Sequence, residues 1–484
     1  MNQVQLSIGG DDVAAKSGAT FERSSPVTGE VVSRAAAASA DDVRAACDAA
    51  ARAFPEWSSQ GPNARRKVLM AAAQNLRARA AEFARRCTEE TGAIPGWGYF
   101  NTEFAATLLE EAAAMTTQVT GEVVPSDQPG TLALAVRQPA GVCVGMAPWN
   151  APVILGVRAI AMPLACGNTT VMKASELSPA VHRLIIDAFL EAGLPAGAVN
   201  FITHSAVDAP AVVEALIAHP AVKRVNFTGS SRVGRIIGEL CGKHLKPCLL
   251  ELGGKAPLVI LEDADLDEAV AAAAFGAFMH QGQICMSTER IIVVEKIADE
   301  FVRRLVEKAK SLQVGDPATG NFPIGACVDT RTVDHVKALI ADATGKGARV
   351  LAGGKGPGGA FFEPTVVDGV QKTMRIYAEE SFGPIVGIIR ARDVDHAVEL
   401  ANDCEYGLSA AVFSRDIGTA LSVAQRIDSG ICHINSPTVQ DEAQMPFGGT
   451  KASGVGRFGG RAGIAEFTDL RWISIATRPR HYPI

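Results

Sequence analysis

Between residues 132 and 295 short β-rich runs alternate with helical stretches, and few folds are open to a chain patterned that way. Strands joined by helical crossovers pair in parallel, and a parallel sheet has to be covered on both faces. One unit can be followed closely. Thr169-Thr170-Val171-Met172-Lys173 reads as a strand, Ser178 as a helix cap and Pro179 as the first helical residue. Val181, Leu184, Ile185, Ala188 and Phe189 then recur at helical spacing until Gly193 and Pro195 stop the helix before a strand at 199–202.

A second array opens at about Ala256, with helices expected over 299–310, 332–344 and 394–401 and strands near 349–351 and 365–367. Two α/β lobes follow from this. Ahead of them, 39–90 is helical, and 63–91 reads as one long amphipathic stretch. Residues 120–137 and the tail after Glu466 lie outside both arrays; both carry strand-like alternation and could pair with each other.

At 484 residues, 48% hydrophobic and 20% charged, the chain is long enough for several ordered cores. Its net charge of −6 and the absence of a dense Lys/Arg block argue against nucleic acid or an anionic membrane as partner. No leader pattern opens the chain and no run of about 18 apolar residues crosses a bilayer, so a cytoplasmic protein with a small-molecule partner is expected. Ten cysteines without CxxC pairs fit thiols in a reducing compartment, and nine scattered histidines give no metal site.

Cys285 sits in a small, polar turn, Gly282-Gln283-Ile284-Cys285-Met286-Ser287, where a thiol can be exposed as a nucleophile or buried as a small hydrophobe. Glu251 ends an apolar run just before Gly253 and Gly254; it is either a general base with a raised pKa or a Lys-paired structural carboxylate. Val225 to Phe227 reads as a strand turning through Thr228-Gly229-Ser230 into a helix, which aims N–H groups at a diphosphate, although no GxGxxG fingerprint is present. Asn150, Ile154 and Arg158 recur at i, i+4 and i+8 along one helical stripe. Arg158 either meets a ring oxygen of a substrate or pairs with a buried carboxylate, and Trp97 and Tyr99 offer aromatic walls.

Pro148-Trp149-Asn150, Lys173-Ala174-Ser175-Glu176, Phe227-Thr228-Gly229-Ser230, Glu251-Leu252-Gly253-Gly254, Gly282-Gln283-Ile284-Cys285, Glu380-Ser381-Phe382-Gly383-Pro384 and Pro446-Phe447-Gly448-Gly449 follow one another in this order. In this the chain resembles the aldehyde dehydrogenase superfamily over essentially its whole length. Segments 203–210, 435–442 and 457–460 resemble its bacterial salicylaldehyde, benzaldehyde and vanillin dehydrogenases, salicylaldehyde of naphthalene breakdown most of all.

The resemblance implies an α/β fold with a Rossmann-type NAD-binding domain (1–119 and 138–252), a catalytic domain (253–446) and β bridging segments for oligomerisation (120–137 and 447–484), the assembly being a homodimer. It implies Cys285 as nucleophile, Asn150 as oxyanion donor and Glu251 as base for the hydrolytic water. NAD would be held by Trp149, Lys173, Glu176, Thr228, Gly229, Ser230, Val233, Leu252, Glu380 and Phe382. The aldehyde pocket would be lined by Arg158, Trp97, Ile284, Met286 and Phe447.

Two departures stand out: Ala174 replaces the usual proline, and 203–210 lacks the usual glycines. A cofactor-independent thiol hydrolase, a CoA-acylating dehydrogenase and a non-catalytic oligomer are the competing readings. The first leaves Lys173, Glu176, Gly229 and Ser230 without a purpose.

Overall fold

The computed structural model describes residues 1–484. Two large sheets organise it. The first has eight strands in the order Gly454–Val455, Cys248–Glu251, Val222–Thr228, Val142–Met146, Thr169–Lys173, Val199–Ile202, Leu6–Ile8 and Asp11–Val13. Its inner strands are parallel, and Gly454–Val455 and Leu6–Ile8 join them antiparallel. The chain lays down 142–146, 169–173 and 199–202 in one direction and then returns to place 222–228 on the other side of 142–146. A crevice opens at such a switch point, beyond the carboxyl ends of the strands.

The second sheet has seven strands in the order Arg349–Ala352, Thr365–Asp368, Ile385–Ala391, Thr288–Val294, Ala256–Ile260, Ser409–Phe413 and Ile431–Ile434. Strands Thr169–Lys173 and Thr288–Val294 are buried along their whole length, as strands covered on both faces must be. A third sheet pairs Thr131–Pro139 with Thr468–Ala476 residue for residue, with Glu122–Val124 on the other edge.

Several local expectations need correction. The stretch 63–91 is two helices, Pro62–Ala78 and Ala80–Thr91, broken at Arg79 with φ −103° and ψ 13°. A one-residue break leaves the apolar spacing almost intact, so periodicity cannot see it. Ser178 precedes the helix Pro179–Glu191, but its hydroxyl makes no capping bond. The free N–H groups of Ala180 and Val181 instead donate to the buried Glu90 carboxylate at 3.0 and 3.1 Å, a cap supplied from 90 positions away. The strands of residues 447–484 are divided among three sheets: 454–455 extend the first sheet, Thr450–Lys451 pairs with Tyr406–Gly407, and 468–476 joins the third sheet. No helix is long and apolar enough to cross a membrane.

Candidate active site

Glu251 ends a strand of the first sheet, and Cys285 lies three residues before a strand of the second. The link Leu252 to Lys255 carries the chain from one sheet to the other and holds the two side chains together. It passes so close to the thiol loop that a Cβ on Gly254 would stand 2.2 Å from the Cys285 carbonyl oxygen. Any side chain there would push the loops apart. Ahead of Cys285 the backbone turns through consecutive left-handed residues, His280 (φ 49°), Gln281 (φ 57°) and Gly282 (φ 68°). That conformation costs a non-glycine residue on the order of 1–3 kcal/mol and persists only where the surroundings enforce it. Here Gln283 Oε1 accepts from the Val328 N–H at 2.9 Å, and the His280 ring stacks on Trp97 at 4.7 Å.

The thiol is partly exposed and the carboxylate is 1% exposed. Burial raises Glu251 to about 8, against which the Cys285 thiol and the Arg158 charge pull weakly downward. Burial, and after it the Glu251 charge, holds the Cys285 thiol well above its ordinary value. Neither Glu251 oxygen has a hydrogen-bond partner of full geometry, so the carboxyl is free to take up a proton. Asn150 Nδ2 donates to the Gln283 carbonyl at 2.9 Å, and Trp97 Nε1 donates to the Asn150 carbonyl at 2.9 Å. A carboxamide has two N–H donors, so one remains for a substrate oxygen. Asn150 lies ahead of the helix Pro152–Ala165 and outside its regular stripe, yet with Ile154 and Arg158 it lines one cavity of about 240 Å³.

Cys285, Ile284, Met286, Trp97 and Phe447 line the same cavity. Tyr99 does not. Trp97, Phe100 and Phe104 follow helical spacing on Pro95–Met115 and face the cavity, whereas Tyr99 is about 200° round from Trp97 and is 49% exposed. Phe100, Phe104, Phe275, Met279, Val439 and Asp441 also line it and were not foreseen. The Phe100 and Phe104 spacing from Trp97 was a usable signal; nothing near Asp441 points to residue 158. Arg158 Nη2 donates to Asp441 Oδ2 at 2.6 Å with both side chains largely buried, and its guanidinium lies 4.5 Å from the Phe447 ring centre. A larger cleft of about 890 Å³, among Lys310, Phe322, Val350 and Glu363, touches none of these groups.

At the switch point of the first sheet, Lys173 ends one strand and Thr228 another. The buried Lys173 ammonium donates to His204 Nε2 at 2.8 Å, while His204 Nδ1–H donates to the Ser205 carbonyl at 2.8 Å. Burial and the Lys173 charge both lower His204, keeping the ring neutral and able to accept. The half-buried Glu176 carboxylate faces the same ammonium. Ser230 caps the helix Ser231–Lys243, its hydroxyl accepting from the Val233 N–H. Leu252 fits over Gly234, where a Cβ would come within 2.3 Å of it.

Glu380 accepts from the Gly254 N–H at 2.9 Å, and burial raises it to about 8. Phe382 (φ 44°) meets Trp149 edge-on at 5.7 Å. The loop that carries both is clasped by Glu289, which accepts from the Ser381 N–H at 2.8 Å and the Phe382 N–H at 3.1 Å and is ion-paired with the fully buried Lys255.

The chain matches the aldehyde dehydrogenase family over residues 13–473. It belongs to that family. Over its whole length, and the whole of the relative's, it is 59% identical to a vanillin dehydrogenase of Pseudomonas fluorescens. A benzaldehyde dehydrogenase (NAD+) of Pseudomonas putida is 39% identical over 95% of this chain and 93% of its own. The crystal structure of a Pseudomonas putida salicylaldehyde dehydrogenase complexed with salicylaldehyde superimposes with a TM-score of 0.98 at 47% identity, covering all of both chains. The two large sheets and the third sheet of this aldehyde dehydrogenase are thus the family's architecture, and the chain is an enzyme.

Proposed function

We propose that this aldehyde dehydrogenase uses NAD to oxidise aromatic aldehydes to their acids, with salicylaldehyde and vanillin as the substrates to try first. The observation that carries the reading is the cavity at Cys285. It holds about 240 Å³, small beside the roughly 300–1,000 Å³ of pockets for drug-sized ligands, so one ring fills it. Its walls are mainly aromatic and aliphatic. The vanillin and benzaldehyde dehydrogenases among the relatives, and the salicylaldehyde complex, favour the same class.

Cys285, once its proton has passed to Glu251, adds to the carbonyl carbon, and the oxygen that takes up the charge accepts from the free Asn150 N–H. The hydride this carbon gives up needs an acceptor, which bound NAD would supply, and Cys285 keeps the acyl group as a thioester. Glu251, once it has released the thiol's proton to solvent, removes a proton from the water that attacks the thioester; the C–S bond then breaks, the acid departs and Cys285 is left as the thiolate.

The residues at the switch point fit the cofactor. Lys173 is a buried cation whose one hydrogen-bond partner is a neutral imidazole, so ribose hydroxyls can complete its shell. The Glu176 carboxylate beside it disfavours a 2′-phosphate and so favours NAD over NADP. Ser230 and the helix N-terminus after it suit the diphosphate, Thr228 and Gly229 form the turn below them, and Glu380 suits the second ribose.

The reading includes a homodimer, supported by the third sheet, where Leu470, Trp472, Ile473, Ile475, Val123 and Val124 are exposed. We take 1–119 with 138–252 as the cofactor domain and 253–446 as the catalytic domain, a division supported by the two large sheets, whose strands fall in these ranges apart from Gly454–Val455.

The test is NADH formation from salicylaldehyde, vanillin, benzaldehyde and an aliphatic aldehyde. Turnover should favour the aromatic aldehydes and fall at least about 10³-fold in Cys285→Ala, which has no nucleophile. Ester cleavage without NADH formation would instead establish the thiol hydrolase.

A further inference from the structure

The cavity beside Cys285 presents few polar groups: Asn150, Arg158, Gln440, Asp441 and the thiol itself. Most are engaged. Asn150 and Cys285 serve the reaction, and Gln440 Oε1 accepts from Ser436 Oγ at 2.6 Å. Arg158 is fixed by Asp441 Oδ2 and by the Phe447 and Phe458 rings, 4.5 and 6.0 Å from its guanidinium carbon.

Among the buried polar atoms of the lining, only Asp441 Oδ1 lacks a hydrogen-bond partner of full geometry, although the Glu442 N–H lies near the carboxylate. Leaving a carboxylate oxygen unbonded in a pocket is costly, and the cost is recovered when a ligand brings a donor. An ionised carboxylate can only accept, and Arg158 already holds the other oxygen in place.

We propose that Asp441 is a specificity-determining residue whose Oδ1 accepts a hydrogen bond from a phenolic hydroxyl on the substrate ring. The inference rests on the aromatic-aldehyde reading above and deepens it. Three chemical consequences follow from an acceptor at that place. A ring hydroxyl satisfies it. A methoxy group, which has no hydrogen to give, does not. A phenolate sets a second negative charge against the carboxylate and is disfavoured. The enzyme therefore selects neutral hydroxylated aromatic aldehydes.

The experiment compares kcat/KM for the 2-, 3- and 4-hydroxybenzaldehydes with their methyl and methoxy counterparts, in the wild-type enzyme with NAD and in Asp441→Asn. In the wild type, at one ring position or more, hydroxyl should exceed the similarly sized methyl by about ten- to hundredfold, the range of a hydrogen bond to a charged group. In Asp441→Asn the amide must turn its oxygen to Arg158, which can only donate, so its NH2 faces the cavity. An acceptor is thereby exchanged for a donor, and the hydroxyl-to-methoxy ratio at that position should fall about tenfold or more.

An unchanged ratio in a folded Asp441→Asn enzyme overturns the proposal while the aromatic reading stands. So does a wild type that never prefers hydroxyl to methyl, a comparison that needs no variant and decides the matter if Asp441→Asn does not fold. A wild type that oxidises aliphatic but no aromatic aldehydes overturns both.

Discussion

Two buried ion pairs flank the thiol, and they are built to different standards. Lys255 and Glu289, on the cofactor side, are 0% and 5% exposed, and both carboxylate oxygens accept hydrogen bonds from Lys255, Ser381 or Phe382. Arg158 and Asp441, on the aldehyde side, are 5% and 13% exposed, and one carboxylate oxygen is left over. The complete pair is a fixture that sets the loop of Glu380 and Phe382. The incomplete pair leaves an acceptor for the substrate. A buried charge pair is weak evidence for stability in itself, and the bonding of its remaining lone pairs separates these two cases.

The largest effect should come from breaking the complete pair. Glu289→Leu leaves the Lys255 ammonium uncompensated and takes the acceptor from two loop N–H groups, a loss of about 3–5 kcal/mol. Melting should fall by many degrees, and NAD affinity, followed by protein fluorescence, should weaken because Glu380 loses its support. Benzaldehyde KM measured at saturating NAD should move far less. A larger change in aldehyde KM than in NAD affinity would mean that Glu289 does not serve the cofactor side.

A smaller effect is expected from Arg158→Met, which keeps the volume and removes the charge. Asp441 then stands unpaired, but burial already pushes its carboxyl upward, so it can take up a proton instead of remaining a bare charge. The cost should be about 1–3 kcal/mol, the range for an unsatisfied buried group. Melting curves of the two variants side by side decide the order; equal losses would abolish the distinction between the pairs.

The contrast also explains what the sequence could reveal. Cys285, Glu251, Asn150 and Lys173 stand in short motifs whose chemistry is local, and the alternation of strands and helices announced both large sheets. Asp441 and Glu289 act through partners 283 and 34 positions away, and no spacing rule links them. The Arg158 pairing was legible only as a charge in an apolar run that needed some carboxylate. Tyr99 was misplaced because Gly96-Trp97-Gly98-Tyr99 reads as an irregular stretch, whereas it forms the first turn of the helix Pro95–Met115 and turns the tyrosine outward. The three short strands before residue 14 escaped notice because three residues are too few to show alternation.

The smallest effect concerns Glu251, which feels only one of the two pairs. Among the neighbouring charges, Arg158 lowers it and Asp441 raises it, whereas Lys255 and Glu289 act on Glu380. With its carboxyl raised to about 8 by burial, Glu251 is mostly protonated at neutral pH and becomes a competent base as pH rises through that value. If thioester hydrolysis limits turnover, kcat should climb with pH and level off above about 8. Removing the Arg158 cation withdraws an attraction that favours the ionised form, so in Arg158→Met the rise should move to higher pH by a fraction of a unit, while in a folded Glu289→Gln enzyme it should stay in place. Glu251→Gln should abolish the rise altogether. A rise that shifts in Glu289→Gln and not in Arg158→Met would reverse the assignment of the two pairs, because the group limiting turnover would then belong to the cofactor side.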